Sequence, residues 1–269
     1  MIRKRAKYLV FCWCCLVIWI WLCVGTAGAA VTPDPQVRAD LQALFDNPVQ
    51  VGGFPYQDLF EAAAERYNLP LPFVLAVVRG ESFFDAKAKS SKGALGLMQV
   101  MPATAADYGT KAAGLLDPAT NIDVGVHYLA DLYARLKDPY LTLGAYYCGC
   151  GGVNTNGPTI RQDCDEYVRY IHTHLTTILA RAAGGVPVTS GEERYFTLTV
   201  FDNFLDGENF LAYLSEKLPM VQFDIFRREV EYDTHMRFQY QILATYRSEK
   251  EKKQVCENVK DVTGFSFCR

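Results

Sequence analysis

The sequence predicts a mainly α-helical domain followed by a small α+β module. Three observations carry that prediction. Apolar residues recur with a helical period from about Val37 to Ala183. They switch to alternation beyond residue 193. The stretch Ala183 to Gly191, AGGVPVTSG, separates the two patterns. With 269 residues, half of them apolar, the chain has core material for one or two ordinary domains. The expected layout is a leader over 1–29, a helical domain over 37–183, a linker over 184–192 and the α+β module over 193–269.

The leader is different in kind from the rest. Arg3, Lys4, Arg5 and Lys7 precede an uncharged apolar run from Tyr8 to Val24, and small residues follow at Ala27, Gly28, Ala29 and Ala30. That is the pattern of an export signal with an A-x-A-like site just before Ala30. An uncleaved anchor helix is the alternative, and it would make this segment the only membrane contact. In both readings the remainder of the chain is exported. Leu22 before Cys23 is bulkier than a lipid-attachment site accepts. Without the leader's four basic residues the chain carries 23 basic against 30 acidic residues, which disfavours a nucleic-acid partner, since that would need a basic footprint.

Within the helical domain, Val31 to Gln36 reads as a mobile lead-in. Phe60, Ala63, Ala64 and Tyr67 share one helical face. Pro72 fits the first turn of a helix that turns Phe73, Val74, Val77 and Val78 inward. Thr120 is the expected N-cap of a helix carrying Ile122, Leu129, Leu132, Tyr133 and Leu136, with Asp123 in its first turn. Val168, Ile171, Leu175, Ile178 and Leu179 mark another helix, and no strand is expected here. In the C-terminal module, Phe196, Leu198 and Val200 alternate as on a half-buried strand. A helix over Gly207 to Leu218 follows, then strands marked by Val221, Phe223 and Ile225 and by Phe238, Tyr240 and Ile242. Ser248 with Glu251 forms a capping box for a last helix, and Gly264 to Cys268 is expected to close a fourth strand, giving βαββαβ.

Five cysteines lie outside the leader: Cys148, Cys150, Cys164, Cys256 and Cys268. In an oxidising compartment, disulfides are expected between Cys164 and either Cys148 or Cys150, and between Cys256 and Cys268. Zinc is the weaker reading, because Cys148-x-Cys150 has the wrong spacing and His172 and His174 diverge on a helix. No metal or cofactor is expected.

The chemistry concentrates in Glu81-Ser82-Phe83-Phe84, Ser90 and Gly93-Ala94-Leu95-Gly96-Leu97-Met98-Gln99-Val100-Met101-Pro102. Glu81 closes an otherwise apolar helix, where a hydrophobic wall keeps a carboxyl group protonated near neutral pH. General-acid cleavage of a glycosidic bond needs that property. The glycines would let main chain approach a bulky sugar. Taken alone, a glutamate at a helix end is more often a solvated surface residue.

The combination Glu81-Ser82, Ser90, G-A-x-G-L-M-Q resembles the signature of the soluble lytic transglycosylase family. Further matches follow in order: Pro102-Ala103-Thr104-Ala105, Asp117-Pro118-x-x-Asn121-Ile122-x-x-Gly125-x-x-Tyr128-Leu129, Ala145-Tyr146, Gly149-x-Gly151-x-Val153 and Tyr167-Val168. The resemblance covers about Pro55 to Thr176. It implies a lysozyme-like α fold, a location in the periplasm or cell envelope of a bacterium, and peptidoglycan glycan strands as substrate. It also implies non-hydrolytic cleavage of the β-1,4 bond between N-acetylmuramic acid and N-acetylglucosamine, with Glu81 as sole acid and base. Ser90, Gln99, Met101, Tyr146 and Tyr167 match substrate-binding positions, with Tyr146 expected to hydrogen-bond near the acid. For Ser90 a turn role, and for Met101 core filling, are the bland readings.

The chain departs from the family where Tyr147 replaces an asparagine and Cys150 a proline. A transglycosylase serving a secretion or conjugation assembly would be compatible with such drift. The C-terminal order resembles the SPOR domain, which binds glycan strands, with Tyr195 and Phe201 as candidate sugar-stacking rings unless a helix covers them. The rival readings are a hydrolase of the same fold, for which Asp85 is the nearest second carboxylate, and a non-catalytic scaffold docked on peptidoglycan.

Overall fold

The computed structural model describes residues 29–154, 157, 159–184, 194–233 and 235–268. The expected leader and most of the expected linker lie outside the described residues. No helix among the described residues is long and apolar enough to cross a membrane.

Among the described residues, seven α-helices build the first region: α1 (Pro35–Asp46), α2 (Gln57–Arg66), α3 (Leu71–Ser82), α4 (Pro102–Asp107), α5 (Pro118–Leu136), α6 (Pro139–Cys148) and α7 (Gln162–Gly184). Proline in the first turn starts α1, α3, α4, α5 and α6, where a missing N–H costs nothing. Aspartates cap three of these helices: Asp34 accepts from Gln36 and Val37, Asp117 from Thr120 and Asp138 from Leu141. The cap of α5 is therefore Asp117 and not the expected Thr120, which sits three residues in and donates to that aspartate. The expected mobile lead-in is ordered as well. Ala30–Val31 (β1) pairs with Ile160–Arg161 (β2), a two-strand ladder in a region where no strand was expected.

Helix α3 is the central element. Pro72 to Gly80 are buried without a break, because α1, α2 and α7 surround it. Gly80 makes the closest crossing possible. A Cβ there would lie 2.3 Å from Ile171 and 3.1 Å from Tyr170 of α7. A disulfide joins Cys148 at the end of α6 to Cys164 in α7, one of the two expected pairings, and leaves Cys150 exposed and free.

The C-terminal region runs β3 (Arg194–Phe201), α8 (Phe204–Lys217), β4 (Phe223–Tyr232), β5 (His235–Tyr246) and α9 (Glu249–Thr263). Its sheet has the order β3-β5-β4 with both pairings antiparallel, and α8 and α9 pack on it. The expected βαββαβ order is thus βαββα. Residues Gly264 to Cys268 form no strand: Gly264 terminates α9 with φ +75°, and the expected Cys256–Cys268 disulfide holds the tail on that helix. The alternation expected in β3 breaks at a bulge between Thr197 and Thr199. Past it Val200 is 42% exposed, while Phe201 turns in against Phe210 of α8, their ring centres 5.5 Å apart. Ser248 does cap α9, accepting from Glu251, whose carboxylate in turn accepts from the Arg247 N–H.

Strand β4 is an edge, and it packs against α7 of the helical region. A buried ion pair ties the same strand to α3, between Asp224 and Arg79, with side chains 1% and 3% exposed.

Candidate active site

Glu81 occupies the last turn of α3 and is half-buried at the wall of a groove of about 560 Å³. The chain must then turn away, and Phe83 and Phe84 do so with φ +54° and +66°, a left-handed conformation that costs a side chain on the order of 1–3 kcal/mol. Packing holds them there. The Phe83 ring lies under the Arg79 guanidinium at 4.3 Å and against Tyr195 and Phe226 of the sheet, while Phe84 packs on Phe54 and Phe60. Ser82 fastens the helix end to the next loop, its hydroxyl donating to the Leu97 carbonyl at 2.7 Å.

That loop is the G-A-L-G-L-M-Q segment, and it is braced by hydrogen bonds within itself and with Ser82, Ala88 and Asn121. The buried amide of Asn121 organises it, accepting from Met98 N–H at 2.8 Å and donating to the Leu95 and Leu115 carbonyls. Gly96, at φ +73°, leaves room for this amide: a Cβ there would fall 2.3 Å from the Asn121 nitrogen. Gln99 is strained at φ +46°, and its side-chain amide donates to the Ala88 and Gly96 carbonyls. The Ser90 hydroxyl accepts from Ala94 N–H at 3.0 Å. Gln99 and Ser90 line the groove, yet these bonds give both a loop-shaping part. Met101 lines it as well and is 40% exposed, so it is no core filler.

Burial pushes the Glu81 carboxyl above its ordinary pKa, and two groups oppose that shift, the charge of Arg227 and the hydrogen bond from Tyr167. The Tyr167 hydroxyl donates to Glu81 Oε1 at 2.6 Å. Burial and then the charge of Glu81 drive the Tyr167 phenol far above its usual range, so it remains a neutral donor. Tyr146 lines the groove near enough to Glu81 for that charge to add to burial in raising its phenol pKa, and its hydroxyl donates to the Met98 carbonyl at 2.8 Å. The phenol bonded to the acid is Tyr167's.

Asp85 also lines the groove, with its carboxylate accepting from Lys87 N–H at 2.8 Å. Cys148, Asp163 and Cys164 bring three potential ligand atoms within 4.8 Å, but both sulfurs are spent in the disulfide. His172 bonds to Asp40 at 2.9 Å, whereas His174 is fully buried beside α3, so the two point apart as the sequence implied.

The opposite wall belongs to β4 and β5, through Phe226, Arg227, Arg228, Glu229, Met236 and Phe238. None of these was expected at the site. Of the two candidate stacking rings, Tyr195 packs against Phe83, and Phe201 is met by Phe210 of α8, the alternative the sequence left open.

Residues 58–163 match the family model of the transglycosylase SLT domain. The soluble lytic murein transglycosylase of Escherichia coli K12 is 38% identical over 132 residues, covering 45% of this chain and 20% of that protein. The membrane-bound lytic murein transglycosylase C of Haemophilus influenzae PittGG is 32% identical over 154 residues, covering 49% and 43%. The transglycosylase of Enterobacteria phage PRD1 is 31% identical over 144 residues, covering 53% and 54%. The chain thus spans from a fifth to about half of the length of these relatives. The matched segment holds Glu81, Ser90, Gln99, Met101 and Tyr146, while Tyr167 and the sheet wall lie beyond it.

Proposed function

We propose that this chain, whose residues 58–163 match the model of the transglycosylase SLT domain, is an exported peptidoglycan lytic transglycosylase with Glu81 as its acid and base. One observation carries the reading: a carboxyl group whose pKa is raised by burial stands at the wall of an open groove with a neutral phenol on one oxygen. Such a group holds its proton long enough to deliver it to a leaving glycosidic oxygen.

The cleavage then runs as follows. Glu81 protonates the oxygen of the β-1,4 bond between N-acetylmuramic acid and N-acetylglucosamine, and the C1–O bond breaks. The substrate's own N-acetyl group stabilises the positive charge at C1. The Glu81 carboxylate takes the proton of the muramoyl C6 hydroxyl, whose oxygen bonds to C1 and leaves a 1,6-anhydro end. Glu81 is protonated again and no water is consumed. Tyr167 holds the carboxyl rotamer throughout, and the braced 88–100 loop supplies the groove floor. Service to a secretion or conjugation assembly is compatible with this reading and has no residue assigned to it.

The second reading, a hydrolase, rests on Asp85 as a further carboxylate of the groove. Mass spectrometry of soluble products from purified peptidoglycan separates the two. Anhydromuramoyl ends support the transglycosylase, and reducing ends, heavier by one water, overturn it.

A further inference from the structure

Arg227 stands on β4, outside every motif that marks the site, and four aromatic rings enclose its guanidinium. The centres of Tyr147, Tyr167, Tyr170 and Phe238 lie 4.9, 5.2, 5.2 and 4.3 Å from Cζ. Tyr147 and Tyr167 stack nearly parallel at 4.6 Å, so two rings of the cage brace each other. The backbone is registered too: Arg227 N–H donates to the Tyr170 hydroxyl at 3.2 Å, and that hydroxyl donates to the Gly80 carbonyl at 3.1 Å, one residue before Glu81. Tyr167 therefore touches both groups, with its ring against Arg227 and its hydroxyl on Glu81.

We propose that Arg227 is a positioning residue of the active site, a fixed cation lent by the C-terminal sheet to the carboxylate that Glu81 becomes. This rests on the acid/base role of Glu81 proposed above. A half-buried acid that gives up its proton must be stabilised as an anion, and a nearby fixed cation does so without solvent rearrangement. Arginine suits the place because its planar guanidinium stacks on rings and stays charged. The other charged groups facing the groove are Asp85, Lys89 and Lys92 from the loop after α3, and Arg228 and Glu229 from β4. From α6 the phenols Tyr146 and Tyr147 line the groove; from α7 the Tyr167 hydroxyl reaches Glu81 and the Asp163 charge acts on Tyr147. Beside Gly80, His174 of α7 is held neutral by burial. The charge of Arg227 opposes the upward push of burial on the Glu81 pKa, and both side chains line the groove.

The test is the titration of Glu81 in the full chain, followed by carbon-13 NMR of glutamate carboxyls and assigned by the signal missing in Glu81→Gln. In Arg227→Gln the Glu81 titration is expected at higher pH than in the parent, and Arg227→Lys should return it towards the parent value. Arg227→Met, which keeps an apolar stem in the cage, serves if the glutamine variant does not fold. On peptidoglycan, the alkaline limb of kcat/KM should move up in pH as kcat falls by roughly tenfold or more. Coincident Glu81 titrations in the parent and the uncharged variants would overturn the proposal and leave Arg227 a packing residue. The titration needs no turnover, so an inactive parent would count against the transglycosylase reading alone.

Discussion

The two walls of the groove hold their side chains by different means. On the helical side, Ser82, Ser90, Gln99 and Tyr146 are fixed through bonds to main-chain groups of a loop that Asn121 organises. On the sheet side, Arg227 and Phe226 are fixed by rings, and Asp224 by a buried guanidinium. Bonds within a loop need a particular local sequence and so leave a motif. A ring cage assembled from α6, α7, β4 and β5 needs only that distant residues meet, and it leaves none.

Breaking the ion pair between the walls should have the largest effect on stability. Asp224→Asn leaves Arg79 buried without a counter-charge and should cost about 3–5 kcal/mol in denaturant unfolding. It should also lower turnover, because Phe226 and Arg227 lose their register. Full stability in this variant would mean that the sheet region is merely adjacent.

The two disulfides sharpen the comparison. Cys148–Cys164 and Cys256–Cys268 close loops of similar size, with separations of 16 and 12 residues, so Cys148→Ala and Cys256→Ala should each cost about 3 kcal/mol. Only the first should depress kcat, since Cys148 adjoins Tyr147 of the cage. Equal effects on kcat would contradict the account.

The smallest effect concerns His174. Neither ring nitrogen has a hydrogen-bond partner among the described residues, and burial, reinforced by Arg79 and Arg227, holds its pKa well below 6.5. A depressed folded-state pKa means that stability is fully present above about pH 6.5 and falls as the pH drops towards the folded-state value. The slope for this one proton is about 1.4 kcal/mol per pH unit. His174→Phe should flatten that part of the pH–stability curve measured by urea unfolding. An unchanged slope would show that the histidine is protonated in the fold.

These differences explain how far the sequence could be read. Glu81, the 93–102 loop and the apolar stripes of α3, α5 and α7 were legible because local spacing defines them. The roles of Gln99 and Gly96 were not, because each faces a partner, Ala88 or Asn121, whose position depends on the folded loop, whereas the turn reading of Ser90 fits its local bond from Ala94. The bulge at residue 198 erased the alternation of β3, and Gly264 with the second disulfide removed the fourth strand. Arg227 had one faint signal. Phe223, Ile225 and Phe226 sit beside Asp224 and Arg227, and charges set among the apolar residues of a strand require partners elsewhere.

If Glu81 performs both proton transfers, Glu81→Gln removes turnover and leaves binding. The variant should fold at least as well as the parent at neutral pH. A carboxyl with a raised folded-state pKa stabilises the fold below about 4.5 and loses that contribution as pH rises through the raised value. The measurement is release of anhydromuramoyl products from peptidoglycan by the folded variant, alongside its co-sedimentation with the same material. The account predicts retained binding with turnover reduced by about 10³-fold or more. Product release near the parent rate would contradict it and move the chemistry to another carboxylate of the groove.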